Sequence, residues 1–274
     1  MYKYKIVASD LDGTLLNNKS EISKENLEAI KELNKKGVHF VISSGRTFSE
    51  IPKEIRENDD IRYIIHSNGA VIFDKKENKR IYTCISNETM QKILEIVKDY
   101  QLHLTIRYQG NCCVDENYQT EKDYEFYNVD PCHIFVVNHY GKFVKNFPEY
   151  VRNADNVEVV SVFFRDLEEK KACGKRLSEI KEVFAAEAAI NNFEIFNSNA
   201  GKGKALYQLA DMLGVEHDAT ISLGDSGNDM TITQAAGLGL AVSNSSQILK
   251  DVADEIICSN EEHVAKFVLE KYFS

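Results

Sequence analysis

The sequence is poor in residues that break or staple a chain. Its 274 residues include 3 Pro and 14 Gly, too few for a long flexible or proline-rich linker, and no repeat at solenoid periods is visible. The six cysteines (Cys84, Cys112, Cys113, Cys132, Cys173 and Cys258) contain no C-x-x-C pair and read as free thiols of a reducing compartment. No run approaches 18 apolar residues, and the opening MYKYKIVASD has no apolar leader segment. No membrane partner and a cytoplasmic location are therefore expected. A basic stripe is also missing. With a net charge of −10 the chain lacks the footprint of a nucleic-acid binder. That acidity leaves room for a phosphorylated substrate where a bound cation and local donors outweigh it. Nothing fixes an oligomeric state, and a monomer is the default.

What is present is ordinary globular material, 43% hydrophobic and 28% charged, enough for one large domain or two ordinary ones. Residues 5–9 (KIVAS) form a short apolar run that ends in acidic residues and glycine, as a buried strand leaving a sheet does. Ser23 is placed to cap a helix carrying Leu27, Ile30 and Leu33, stopped by Gly37. A strand at 38–43, a helix at 48–57 and a strand at 63–66 follow, implying right-handed crossovers and a parallel sheet. Asn68-Gly69 leads to a hairpin of 70–74 with 80–84.

The pattern then changes. A helix near 87–100, short strands at 102–107, 112–115, 133–138 and 157–164, and a charged helix at 167–184 have α+β texture. After about residue 190 the α/β rhythm returns, with a helix at 202–213, a strand at 219–223, a helix at 228–236, a strand at 238–242 and a last strand–helix pair. The expected architecture is α/β: a Rossmann-like parallel-sheet core of 1–83 and 191–274, interrupted by an inserted α+β domain at 84–190.

Four segments carry chemistry. Asp10-Leu11-Asp12-Gly13-Thr14 follows the first strand, and ligands of open α/β sheets bind outside the carboxyl ends of strands. Two carboxylates one residue apart serve one centre if the backbone turns sharply, which Gly13 permits. One can attack phosphorus while the other handles protons. Gly224-Asp225-Ser226-Gly227-Asn228-Asp229 follows another apolar run, and carboxylates from two strand ends make an oxygen cage for a hard cation such as Mg²⁺. Ser43-Ser44-Gly45-Arg46 offers a hydroxyl and loop amides to phosphate oxygens. Lys202 supplies a point charge suited to a phosphoryl group. Each has a plainer reading as a turn, a helix cap or a solvated lysine. Their convergence on one edge of one sheet favours a site.

These segments resemble the haloacid dehalogenase superfamily, and most closely its Cof-type, class IIB sugar-phosphatase-like branch. The matches are DLDGTLL at 10–16, SSGR at 43–46, KGKAL at 202–206 and GDSGND at 224–229, with SNGA at 67–70 and AAGLGLAV at 235–242 as weaker ones. Val242 and Ser243 stand where the family usually shows Met and Gly, and Thr231-Ile232-Thr233 replaces a more apolar, acidic stretch.

The resemblance implies a Mg²⁺-dependent phosphatase acting on a small phosphorylated metabolite through an aspartyl phosphate. Asp10 would be the nucleophile. Asp12 would be the general acid–base, carrying a proton when the substrate binds. Mg²⁺ would be held by the Asp10 carboxylate, the Asp12 carbonyl and Asp225, with Asp229 in support. Ser44, Gly45, Lys202 and Asn228 would hold the phosphoryl oxygens. The insert would be the cap that reads the leaving group, with Arg107, His133 and Arg165 as polar residues near its expected strands.

The same intermediate would serve a phosphomutase. A non-catalytic phosphometabolite sensor would keep the scaffold without needing the nucleophile. A Ca²⁺ loop from Asp10, Asp12 and Glu21 has Leu15 where that loop needs glycine. A zinc site from Cys112, Cys113, Cys132 and His133 is opposed by adjacent strand residues pointing to opposite faces.

Overall fold

A computed structural model describes residues 2–118, 120–187 and 189–274. The chain forms two compact units. One takes in the chain up to Arg46, Ile51–Ile81 and Gly201–Ser274; the other takes in Thr47–Glu50 and Tyr82–Ala200.

The first unit begins with β1 (Ile6–Ser9), α1 (Lys24–Lys35), β2 (His39–Ser43), a short α2 (Lys53–Arg56), β3 (Tyr63–His66), β4 (Val71–Asp74) and β5 (Lys79–Tyr82). Ser23 caps α1, its side chain accepting from the Asn26 amide. The single helix expected at 48–57 is instead a tight turn at Phe48–Glu50 followed by α2, with Pro52 at the N-cap of α2. Proline has no N–H to continue a helix and clashes with the preceding turn.

The second unit runs through α3 (Asn87–Val97), β6 (Leu102–Tyr108), β7 (Asn111–Asp115), α4 (Glu121–Phe126), α5 (Pro131–Tyr140), β8 (Gly141–Val144), α6 (Phe147–Asn153), β9 (Val159–Phe164), α7 (Leu167–Leu177), β10 (Val183–Ala186) and β11 (Asn192–Asn197). Its strands are ordered β10-β11-β9-β6-β7-β8. Along β9 the period of two divides the core. Val160, Val162 and Phe164 pack with Met90, Ile93 and Leu177, whereas Phe163 packs with Val114, Tyr124 and Val137. Both faces of this sheet are therefore covered by helices. Each fully buried side chain of this kind contributes about 1.5–3 kcal/mol.

The strand expected at 133–138 is helix α5. Its β-branched residues suggested a strand, but Asp130 accepts from the His133 amide and Pro131 opens the first turn, two start signals that override propensity. The helix expected at 167–184 stops at Leu177, and the chain continues into β10 and β11. Cys112 and Cys113 belong to the cores on opposite faces.

The chain then returns to the first unit with α8 (Lys202–Leu213), β12 (Thr220–Gly224), α9 (Met230–Ala235), β13 (Leu238–Val242), α10 (Gln247–Lys250), β14 (Glu255–Ile257) and α11 (Val264–Tyr272). The sheet order is β14-β13-β12-β1-β2-β3-β4-β5. β1 lies parallel between β12 and β2, and pairing stays parallel out to β14 and β3, where β4 turns antiparallel. The central strands are buried along their whole length, as a sheet covered on both faces requires. Among the described residues no helix is long and apolar enough to cross a membrane.

Candidate active site

The strand order places the carboxyl ends of β1, β2 and β12 side by side. Asp10 leaves β1, Ser44 leaves β2, and Asp225 leaves β12. Beyond Asp10 the chain makes a tight turn over Leu11–Leu15, with Gly13 at φ 69°. A Cβ on Gly13 would lie 2.5 Å from Asp225 Oδ2, so conformation and space both demand glycine there. Asn244 donates to the Gly13 carbonyl at 2.7 Å and ties the turn to the loop after β13.

Asp10 is buried, and its Oδ1 accepts from Lys202 Nζ at 2.6 Å. Lys202 opens α8 and also donates to Asp229 Oδ1 at 2.6 Å. The other Asp229 oxygen accepts from the amides of Asp225 and Ser226 at 3.0 and 3.2 Å. Asp229 thus braces its own loop and the lysine together. Gly69 approaches the start of α8 so closely that a Cβ there would meet the Gly201 carbonyl carbon at 2.4 Å.

Electrostatics follow from this geometry. Burial pushes the Asp10 carboxyl up to about 8; Lys202 opposes the shift, while Asp229 and Asp225 add to it. Burial and the Asp229 charge lift Asp225 to about 6. Burial works against the Lys202 charge, but Asp10 and Asp229 outweigh it and hold the ammonium above its usual range.

One oxygen each from Asp10, Asp225 and Asp229 lies within 4.8 Å of the others. An all-carboxylate donor set suits a hard dication such as Mg²⁺, so the residues present fit the metal implied by the sequence. The Asp12 side chain is not in this group. Half exposed, it forms a two-pronged pair with Arg46, at 2.8 Å to Nε and 2.6 Å to Nη2.

Ser44 is buried, and its Oγ accepts from the Arg46 amide at 3.1 Å. Gly45 follows it, beside the amide of Asn68. The Asn228 side chain is exposed and accepts from Ser226 Oγ at 2.7 Å.

Sequence reasoning missed two residues here. Arg46 lies inside the quoted SSGR segment, and its place two residues after Ser44 was the available signal. Asn68 is held at φ 54° and donates its amide to the Ser44 carbonyl at 3.1 Å, while its side-chain oxygen is buried without a hydrogen-bond partner. The SNGA match marked that position but not its contact.

The three residues named for the insert lie in different settings: Arg107 on β6, His133 on α5, and Arg165 exposed just after β9. Arg107 is partly buried beside Glu194 and Glu50. His133 is buried on α5. Arg165 lies over the Phe126 ring at 4.3 Å.

Comparison with known proteins identifies the family. A family model for haloacid dehalogenase-like hydrolases matches residues 7–268. Phosphatase YwpJ of Bacillus subtilis is 27% identical, over 94% of this chain and 96% of its own. A 5-amino-6-(5-phospho-D-ribitylamino)uracil phosphatase of the same organism, YwtE, is 28% identical, over 98% of both chains. Among solved structures, a haloacid dehalogenase-like hydrolase from Bacteroides thetaiotaomicron superposes with a TM-score of 0.80 at 22% identity, covering 98% of this chain and 100% of the other. The chain belongs to the haloacid dehalogenase-like hydrolases. Within that superfamily it is a phosphatase.

Proposed function

We propose that the protein is a cytoplasmic, Mg²⁺-dependent phosphatase that hydrolyses small phosphate monoesters, sugar phosphates or related phosphometabolites, through an aspartyl phosphate on Asp10. The observation that carries this reading is a buried aspartate at a central strand end, 2.6 Å from a buried lysine and grouped with two further carboxylates. The phosphatase YwtE, whose name specifies a phosphorylated ribityl compound, is a relative over 98% of this chain.

In the first step an Asp10 oxygen attacks phosphorus, the bond to the leaving oxygen breaks, and Asp12 delivers a proton to that oxygen. In the second, Asp12 takes a proton from water. The water oxygen attacks phosphorus, the bond to Asp10 breaks, and inorganic phosphate leaves. Lys202, the Ser44 hydroxyl and the Gly45 loop hold phosphoryl oxygens, with Asn228 at the rim. These groups act by positioning and by charge around a loose transition state.

Asp10, the Asp12 carbonyl and Asp225 would hold Mg²⁺, and Asp229, with both oxygens engaged by Lys202 and loop amides, would support them. When bound, the dication keeps Asp10 ionised and lessens repulsion between two anions that must meet. The second unit would serve as the cap that reads the leaving group.

Phosphate release from a panel of monoesters, with Mg²⁺ and with EDTA, tests the reading. Release that requires both the metal and Asp10 supports it. Phosphoryl transfer between sugar hydroxyls with little free phosphate would replace it with a mutase.

A further inference from the structure

Arg46 is the last residue of its segment in the first unit, and Thr47–Glu50 is packed with the second. These four residues are fixed there by buried polar contacts. Thr47 Oγ1 donates to Glu158 Oε2 at 2.8 Å. The same Glu158 accepts from the Gly110 amide at 2.6 Å, and the Gly110 carbonyl accepts from the Ser49 amide at 2.9 Å. Glu50 accepts from the Thr47 amide at 3.2 Å and lies 3.6 Å from the partly buried Arg107. Arg107 in turn donates to Glu194 at 2.9 Å.

Buried carboxylates such as Glu50 and Glu158 are costly to keep unless each is paired, and the proposed chemistry uses neither of them. They form a strap. One peptide bond upstream, Arg46 grips both oxygens of Asp12.

We propose that Arg46 is a positioning residue for Asp12, and that the hydrogen-bonded strap Thr47–Glu50 holds the backbone that follows Arg46. The inference rests on the acid–base role given to Asp12 above. A fork on both oxygens fixes the plane of the carboxylate and keeps a half-exposed side chain from swinging into solvent. Each carboxylate oxygen keeps a further lone pair for a proton, so an oriented Asp12 remains able to take one from water. The hydroxyl–carboxylate bond of Thr47 makes the backbone after Arg46 part of the second unit's framework. Arg46 is therefore joined by one peptide bond to a residue whose side chain and backbone are held by buried hydrogen bonds.

The test uses p-nitrophenyl phosphate, whose leaving group needs no proton, so kcat/KM reports transfer to Asp10 without Asp12. Turnover still needs Asp12 to activate water. Arg46→Gln is expected to lower kcat by about tenfold, a fraction of the roughly hundredfold or more that a general base supplies, while kcat/KM holds and a burst of p-nitrophenol appears. Thr47→Val and Glu158→Gln should reproduce the split in weaker form, and Arg46→Lys should restore part of it. A parallel fall in kcat and kcat/KM, or strap variants without effect on kcat, would overturn the proposal.

Hydrogen exchange reads the same coupling without a substrate. Thr47→Val, which removes one hydroxyl and keeps the shape, should speed exchange in 11–16 as well as in 44–50. Unchanged exchange at 11–16 would overturn the coupling. A protein that hydrolyses no ester but shows that exchange pattern would instead refute the phosphatase reading.

Discussion

Replacing Lys202 with methionine keeps most of the unbranched side chain and removes its charge. The ammonium is buried, 2.6 Å from oxygens of both Asp10 and Asp229. Without it, Asp10, Asp225 and Asp229 stay within 4.8 Å of one another and lose the lysine they share. Removing one partner of a buried pair costs about 3–5 kcal/mol. The carboxylates relieve part of that by binding protons, so the loss depends on pH.

Burial already holds Asp10 at about 8 and Asp225 at about 6, from an ordinary 3.8, with Lys202 opposing the shift in both. Losing the lysine raises both further. A carboxyl whose folded pKa lies above its unfolded value stabilises the fold at low pH. That contribution falls by about 1.4 kcal/mol per pH unit as pH rises toward the folded pKa. The deficit of Lys202→Met relative to wild type should therefore be small near about pH 5 and grow to several kcal/mol near about pH 8.5. Urea unfolding of both proteins in EDTA, with hydrogen exchange at β1 and β12 to report the first unit, measures it. An equal deficit at the two pH values would show that Lys202 acts through packing and refute the electrostatic reasoning.

Asp10→Asn should abolish phosphate release while circular dichroism and the melting temperature stay close to wild type; full turnover in a clean preparation would remove Asp10 as the nucleophile. Gly13→Ala should cost about 1–2 kcal/mol in backbone strain and displace Asp225, so its activity should fall further than its stability, as paired melting and kinetic measurements would show. In the second unit, burial lowers His103 to about 4 and His133 to about 3 from 6.5. A buried base with a depressed pKa contributes full stability above about pH 6.5 and loses about 1.4 kcal/mol per unit below it. Between about pH 6.5 and 5 the pair should weaken that unit by about 4 kcal/mol; flat exchange at β6 and β9 over that range would contradict this.

Much of the first unit was legible because buried parallel strands read as continuous apolar runs ending in chemistry-bearing loops. KIVAS before Asp10 and ATISL before Gly224 are such runs. Ser23 declared α1 by its capping chemistry. The second unit was harder. In α5 the side chains of IFVV favour a strand, and the deciding signal lay upstream in Asp130-Pro131. The strap was illegible, because Thr47 to Glu158 is a pairing across 111 residues with no local signature. The site's carboxylates and lysine stood at strand and helix ends and could be named. The direction taken by the Asp12 side chain could not, since it depends on the pair with Arg46.

The pinned ends of the inserted segment bear on how the chain folds. Ile85 bridges Val157, and Asn197 donates to the Cys84 carbonyl at 2.8 Å, so the folded insert starts and finishes at nearly one place. In the core sheet Ile6 pairs beside Thr220, a contact of very high sequence separation. Closing so long a loop is slow and entropically unfavourable. Once the insert has folded, the chain between β5 and α8 behaves as a short tether. Variants that weaken the insert should therefore slow assembly of the core sheet, and a core whose residues 84 and 197 are joined by a brief turn should still assemble without it.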